Sequence, residues 1–287
     1  MRTTGKKAFT LVELLIVIII IGILATLVVP SLIRAVTLAK QAACKSAVKE
    51  LITGLNAYAS AAPDSGMPKV PTSNWNTSVG TNRTVSPFDL QNDGTPPAAK
   101  PRNHSSNLWL LARRGYVPLT GFICASTDDL ASTHQKVDRY WDFSSSRYLS
   151  YGIQSPYGYN GSLSVLAPDG VVLIADGSPY VQGPTGTSPG KIKTGANLTI
   201  IDWSGGASGI NKMRLGNSPN HEGAGQNIGF KDGRSIWSTS AACGKSGDNI
   251  YTARNERVRD EDENTKYGAG SLSASSRNNP NDTLILP

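Results

Sequence analysis

An α+β fold, one long N-terminal helix followed by a mostly antiparallel sheet, is what the order of patterns along the chain predicts. Three observations carry it. An apolar run over residues 9–29 passes into an amphipathic stretch dominated by Ala, Leu and Lys, up to the breaker Pro63-Asp64-Ser65-Gly66. Short apolar segments bounded by Gly, Pro, Asn and Asp follow. One of them, Gln226–Phe230 and Ser235–Ser238 around Lys231-Asp232-Gly233-Arg234, is a hairpin pattern in which Asp-Gly supplies the positive φ of a tight turn.

The first element is set by its 21 apolar-run residues, interrupted by a single charge, Glu13. As a helix the run spans about 31 Å, the thickness of a bilayer core. Arg2, Lys6 and Lys7 precede it, which holds that end in the cytoplasm and places the following chain on the other side. A carboxylate in such a run costs about 3 kcal/mol on insertion scales, against about −5 to −10 kcal/mol from its large apolar residues. The segment therefore inserts with Glu13 in it. A plain signal anchor, or a signal peptide cut after the run, has no use for that acid. An intramembrane carboxylate calls for a cation at the same depth.

Beyond Pro30, Leu32, Val36, Ala39, Ala43, Ala47, Leu51, Leu55 and Tyr58 recur at spacings of three and four, one apolar helical face. Arg34, Lys40, Lys45, Lys49 and Glu50 fall mostly off it. The expectation is one helix of about fifty residues, its second half covered by a globular head or by neighbouring subunits.

The residues KKAFTLVELLIVIIIIGILATLVVP resemble the class III leader and N-terminal helix of type IV pilins and type II secretion pseudopilins. The resemblance implies cleavage by a prepilin peptidase between Ala8 and Phe9, N-methylation of Phe9, and pairing of Glu13 with the N-terminus of a neighbouring subunit to set assembly register. A buried carboxylate beside a buried ammonium is consistent with that pairing. Pro30 stands where many of these helices carry a kinking proline. The residue before the cut is Ala8, where the family usually has Gly. The division implied is a leader over 1–8, a transmembrane and assembly helix over 9–29, an amphipathic helix over 30–62 and a periplasmic head over 63–287.

Residues 63–105, rich in Pro, Ser, Thr, Asn and Gly, read as a long surface loop. SSNLWLLARRGYVP reads as a short helix ending near Gly115, GFICASTDD as a brief strand and turn, and RYLSYGIQSPYGYNG and DGVVLIADGSP as strands. The closing Thr-Leu-Ile-Leu-Pro is a candidate edge strand; otherwise it frays. With NHEGAGQNIGFKDGRSIW, these segments resemble the large pilin-like proteins abundant in planctomycetes and related bacteria, whose heads carry a His-x9-Asp-Gly motif. Here ten residues separate His221 from Asp232-Gly233, one more than that spacing.

Of the histidines His104, His134 and His221, only His221 has acidic company, Glu222 and, across the hairpin, Asp232. A catalytic or metal site needs two or three such groups to converge. The simpler reading has His221 bonded to backbone at the hairpin entrance and Asp232 serving the turn. Calcium is the better metal candidate than zinc. Asp128-Asp129, Asp248-Asn249 and the acidic run at 259–264 offer oxygen donors, none with EF-hand spacing, so no ligands are assigned. Cys44, Cys124 and Cys243 lack CxxC spacing; a Cys124–Cys243 disulfide and three unpaired thiols both fit the sequence. The net charge of +7 is scattered rather than striped, which disfavours nucleic acid. Hydrolase and nucleotide motifs are missing from the sequence.

The resemblance implies a structural subunit of a pilus-like or type II secretion pseudopilus fibre, not an enzyme, with no required cofactor. Its partners would be copies of itself or sister pseudopilins, the prepilin peptidase and an inner-membrane assembly platform. Its place would be the inner membrane, single-pass with the N-terminus cytoplasmic and the head periplasmic, then the fibre. The alternative is a membrane-tethered periplasmic binding module that does not polymerise, for which Trp75, Trp109, Trp141, Trp203 and Trp237 supply aromatic surface.

Overall fold

The computed structural model describes residues 10–61, 66–68, 105–133, 137–139, 142–143, 146–154, 170–178, 217–245, 250–251 and 285–286. The chain divides into two compact units, residues 1–40 and 41–287. Helix α1, Leu11–Ala61, is one uninterrupted 51-residue element with Pro30 inside it. Its apolar first half is long and apolar enough to cross a membrane. Every large apolar side chain from Leu11 to Leu38 is exposed.

In the second unit the same helix changes character. Cys44, Val48, Leu51, Ile52, Gly54 and Leu55 are buried, while Lys45, Lys49 and Glu50 face solvent. The buried face overlaps the predicted one at Leu51 and Leu55 but is centred one residue over. Ala43 is exposed, and Cys44, Val48 and Ile52 take the core positions. The predicted line runs over the 27 residues from Leu32 to Tyr58 and takes four steps of four in a row from Ala39 to Leu55, whereas a 3.6-residue repeat drifts against such a series.

Helix α2, Ser105–Arg113, ends just before Gly115, as expected. Five antiparallel strands follow: β1 (Tyr151–Gln154), β2 (Val172–Asp176), β3 (Gln226–Phe230), β4 (Ser235–Ser238) and β5 (Ile285–Leu286). Their order is β4-β3-β2-β1-β5. The hairpin β3–β4 forms at the predicted bounds, and the C-terminal segment docks as the edge strand beside β1. The predicted loop over 63–105 lies almost wholly outside the described residues.

Two apolar clusters flank the sheet. The first joins Val48, Leu51, Ile52 and Leu55 of α1 with Leu108, Trp109 and Leu111 of α2 and Tyr151, Ile153, Leu173 and Ile174 of the sheet. Each such aliphatic side chain, fully buried, contributes about 1.5–3 kcal/mol. The second joins Val172, Ala175, Ile228 and Phe230 with Ala241, Ile250, Tyr251 and Ile285. A register shift between Val172 and Ile174 lets the adjacent Leu173 and Ile174 both reach the first cluster.

Three expectations are corrected here. GFICASTDD is not a strand: Leu119–Phe122 forms a 3-10 turn, closed by Gly121 N–H donating to Pro118 O at 2.9 Å. Pro118 presets that turn, and a single bond from Ser150 N–H to Phe122 O does not extend the sheet. Trp109 offers no binding surface; it is fully buried, edge-on to Phe143. The disulfide joins Cys44 to Cys124, not Cys124 to Cys243. Cys243 lies elsewhere, its Sγ contacting Ala241 O at 3.6 Å and Gln226 Nε2 at 4.0 Å. By chain entropy, closing the 80-residue separation stabilises the head by about 4.5 kcal/mol.

Helix α1 lies directly on β3. A Cβ at Gly229 would fall 2.7 Å from Ile52 Cγ1 and 2.8 Å from Val48 Cγ1, so only glycine lets helix and strand approach this closely. Side-chain bonds pin the same contact: Asn56 Nδ2 donates to Lys231 O at 3.1 Å and Ser235 Oγ to Lys45 O at 3.1 Å. Gly229→Ala is therefore expected to cost about 1–3 kcal/mol by overpacking. Urea unfolding followed by tryptophan fluorescence reads the change; an unshifted midpoint would refute the tight seat of α1.

Candidate functional site

Two places carry the residues of interest: the start of α1 and a buried polar cluster in the head. Ala8 and Phe9 lie outside the described residues. Glu13 closes the first turn of α1. Its Oε2 accepts from Thr10 N–H at 2.8 Å and from Thr10 Oγ1 at 2.8 Å, and Thr10 Oγ1 accepts from Glu13 N–H at 3.2 Å. This is a capping box, with Thr10 as cap and Glu13 three residues on. The Thr-x-x-Glu spacing at the head of an apolar run is the sequence signal for it, beside the charge of Glu13. Pro30 sits within α1.

The head cluster centres on Asp176, the last residue of β2 and fully buried. A buried carboxylate is tolerated only when donors surround it. Asp176 Oδ2 accepts from Asn227 N–H at 2.6 Å and from Asn227 Nδ2 at 3.3 Å, and Oδ1 accepts from Asn220 Nδ2 at 3.3 Å. His221 Nε2 stands 3.3 Å from Oδ2. The same nitrogen lies 3.2 Å from Asn227 Nδ2 and 3.6 Å from Cys124 Sγ. Behind it, the imidazole meets the Trp237 ring edge-on, centroids 5.0 Å apart.

Local chemistry delivers these groups. Ser218 caps a 3-10 turn, Pro219–His221, by accepting from Asn220 N–H at 3.2 Å, and Glu222 turns the chain through φ 56° into Gly223. That turn aims Asn220 and His221 inward together. Asn220 Nδ2 also donates to Ser150 O at 2.7 Å, tying the turn to the residue before β1. Burial, and then the Asp176 charge, push the Tyr151 phenol well above its ordinary range, so it stays neutral.

Asp232 is not part of this cluster. It is exposed on the β3–β4 turn, where its Oδ1 accepts from Arg234 N–H at 2.9 Å and its Oδ2 from Arg234 Nε at 2.7 Å. The backbone bond first, then the side-chain bond, hold its carboxyl below the usual range. Gly233 takes φ 86°, the left-handed turn conformation expected of it. Asp232 thus serves the turn, as the simpler reading has it, and that reading is corrected on His221, whose partner is Asp176 rather than backbone. The spacing could not reveal this, because Asp176 and His221 stand 45 positions apart in the chain. Among the calcium candidates, Asp129 Oδ2 accepts from Ser150 Oγ at 2.6 Å, while Asp248-Asn249 and 259–264 lie outside the described residues, as do His104 and His134.

Residues 3–29 match the family model described as the prokaryotic N-terminal methylation motif. The chain therefore begins as a prepilin-like protein does, with a segment of the pilin and pseudopilin type. The match ends at residue 29 and does not extend to the head. Comparison with curated proteins and with solved structures gives no match.

Asp176→Ala takes the acceptor from three amide donors, Asn220 Nδ2, Asn227 N–H and Asn227 Nδ2, and removes the group beside His221; it is expected to cost about 3–5 kcal/mol, as removing one partner of a buried pair does. Equilibrium unfolding in urea checks it. The lowered pKa of Asp232 means that its turn bonds persist above the ordinary carboxylate range and are lost as pH falls through the lowered value. The Arg234 amide proton resonance should titrate there, and should not in Asp232→Asn.

Proposed function

We propose that this chain is a processed structural subunit of a pilus-like or type II secretion pseudopilus fibre, assembled through its N-terminal helix. The observation that carries the reading is an acid kept inside an apolar helix start that matches the methylation motif. In this reading a prepilin peptidase cuts between Ala8 and Phe9 and Phe9 is N-methylated. Glu13 then exchanges its local bonds to Thr10 for the ammonium of a neighbouring subunit. Two charges removed from water together stabilise each other only at one register, which is what an assembling helix needs. The exposed apolar side chains from Leu11 to Val29 become the fibre core, and Pro30 is the position at which the helix would kink on assembly.

The head sits in the periplasm in this reading. Arg2, Lys6 and Lys7 before the apolar run support that orientation, and the Cys44–Cys124 disulfide suits an oxidising compartment. Partners are copies of itself or sister pseudopilins, the peptidase and an assembly platform in the inner membrane. The role is a substrate's and a building block's rather than an enzyme's, and it requires no cofactor; calcium would be an accessory to the head.

Two measurements test the proposal. Mass spectrometry of the mature N-terminus is expected to find N-methyl-Phe9, whereas an intact Met1 would indicate a permanent anchor. Glu13→Leu is expected to abolish fibre incorporation, scored by shearing and electron microscopy, with the head still oxidised and folded. Unchanged incorporation would sink the fibre reading and leave a tethered binding module.

A further inference from the structure

The Cys44–Cys124 disulfide does not stand alone. Cys44 Sγ, Cys124 Sγ and a ring nitrogen of His221 all lie within 4.8 Å of one another, and all three residues are buried. Three chain segments converge to place them: α1, the stretch after the 3-10 turn at Leu119–Phe122, and the capped turn before β3. Asp176 Oδ2 adds an oxygen donor 3.3 Å from His221 Nε2.

From these positions we propose that disulfide and metal are alternative states of one site, and that the reduced head binds a single zinc-class divalent ion through Cys44, Cys124 and His221, with Asp176 as the adjacent oxygen donor. The spacing suits a tetrahedral centre. With Zn–N and Zn–S bonds of about 2.05 and 2.3 Å, the nitrogen–sulfur edge of a tetrahedron is about 3.5 Å, and the nitrogen–oxygen edge is about 3.3 Å. The observed His221–Cys124 and His221–Asp176 separations are 3.6 and 3.3 Å. The two sulfurs, now bonded to each other, must part to about 3.8 Å, and Asp176, which stands outside the three-residue group, must draw closer to them to complete the tetrahedron.

Reduction does that. A dithiol reductant of the compartment gives two electrons and two protons to the Cys44–Cys124 bond and is itself oxidised to a disulfide. The two thiols formed then lose their protons as the ion binds, so two protons leave for each ion taken up. His221 offers the nitrogen lone pair as a neutral imidazole, while Asn227 Nδ2 retains Asp176 Oδ2 as its acceptor. Thiolate, imidazole and carboxylate are the donor set of zinc rather than of calcium or magnesium. The ion would cross-link α1 to the head as the disulfide does, so the head keeps its seat for α1 in either redox state.

The test uses the full chain in detergent micelles, reduced without oxygen, with Co2+ alone as the probe. One Co2+ per chain is expected, with thiolate-to-cobalt charge transfer and tetrahedral ligand-field bands, displaced by Zn2+. Oxidised protein should show neither band. Cys44→Ser with Cys124→Ser should abolish the charge-transfer band, Cys243→Ser should leave it intact, and His221→Ala should weaken binding about tenfold or more. Circular dichroism guards against mere unfolding: a reduced head that loosens should be restored by Zn2+. A folded reduced head without the charge-transfer band, a band that needs Cys243, or a reduced head that stays unfolded with Zn2+ would each overturn the proposal.

Discussion

Asp176 is a carboxylate buried at the end of a central strand, and much of the head is arranged around the need to solvate it without water. Bulk water would cost nothing to provide; inside the protein each missing donor costs on the order of 1–3 kcal/mol. The donors come from two asparagines on the segment 220–227, with His221 beside them, so that segment must fold over the end of β2. Tyr251 Oη adds a bond to the Asp176 carbonyl at 2.9 Å, drawing the second apolar cluster to the same point. Once Asn220 is placed, its other bond to Ser150 O fixes the chain entering β1. A single buried charge thus sets the relation between three strands.

Helix α1 answers to two different solvents along one backbone. From Leu11 to Leu38 its apolar side chains are exposed on every side, which no water-facing helix sustains and a lipid or helix-packed environment favours. From Cys44 to Leu55 only one face is apolar, and it packs on the sheet with Gly229 beneath it. The helix does not need separate domains to change role, since backbone hydrogen bonding is internal in either medium. What changes is the side-chain pattern, from apolar all round to a stripe flanked by Lys45, Lys49 and Glu50.

That change of pattern is why the architecture was legible. An apolar run of bilayer length, a Lys-bearing stripe and an Asp-Gly hairpin are local signals, and α1, α2, β3 and β4 emerged where they pointed. The errors fall where a local signal had a competitor. GFICAS has strand composition, but Pro118 before it and the covalent tie of Cys124 to α1 leave the segment no strand to pair with. Cys44 falls one position off the apolar line expected for the helix. In the structure that offset is what brings it to the core.

The candidate site was half legible for a similar reason. His221 stands out because histidine is scarce in this chain, yet its partner Asp176 is neither of the acids near it in the sequence, Glu222 and Asp232. Asp-Gly turns need an aspartate for their own geometry, so that acid was already committed to Arg234. Asp176 lay hidden as the apparent end of an apolar strand, VLIAD followed by Gly, which reads as strand and then turn. A carboxylate that terminates a fully buried strand is the stronger signal, because burial leaves it no water and obliges polar partners to come from elsewhere in the fold. Asn220, His221 and Asn227, polar residues at unusually high density around a short turn, are where those partners are found. Read that way, density of buried polar side chains, rather than a two-residue spacing, locates the chemistry of this head, and it does so beside the one disulfide among the described residues.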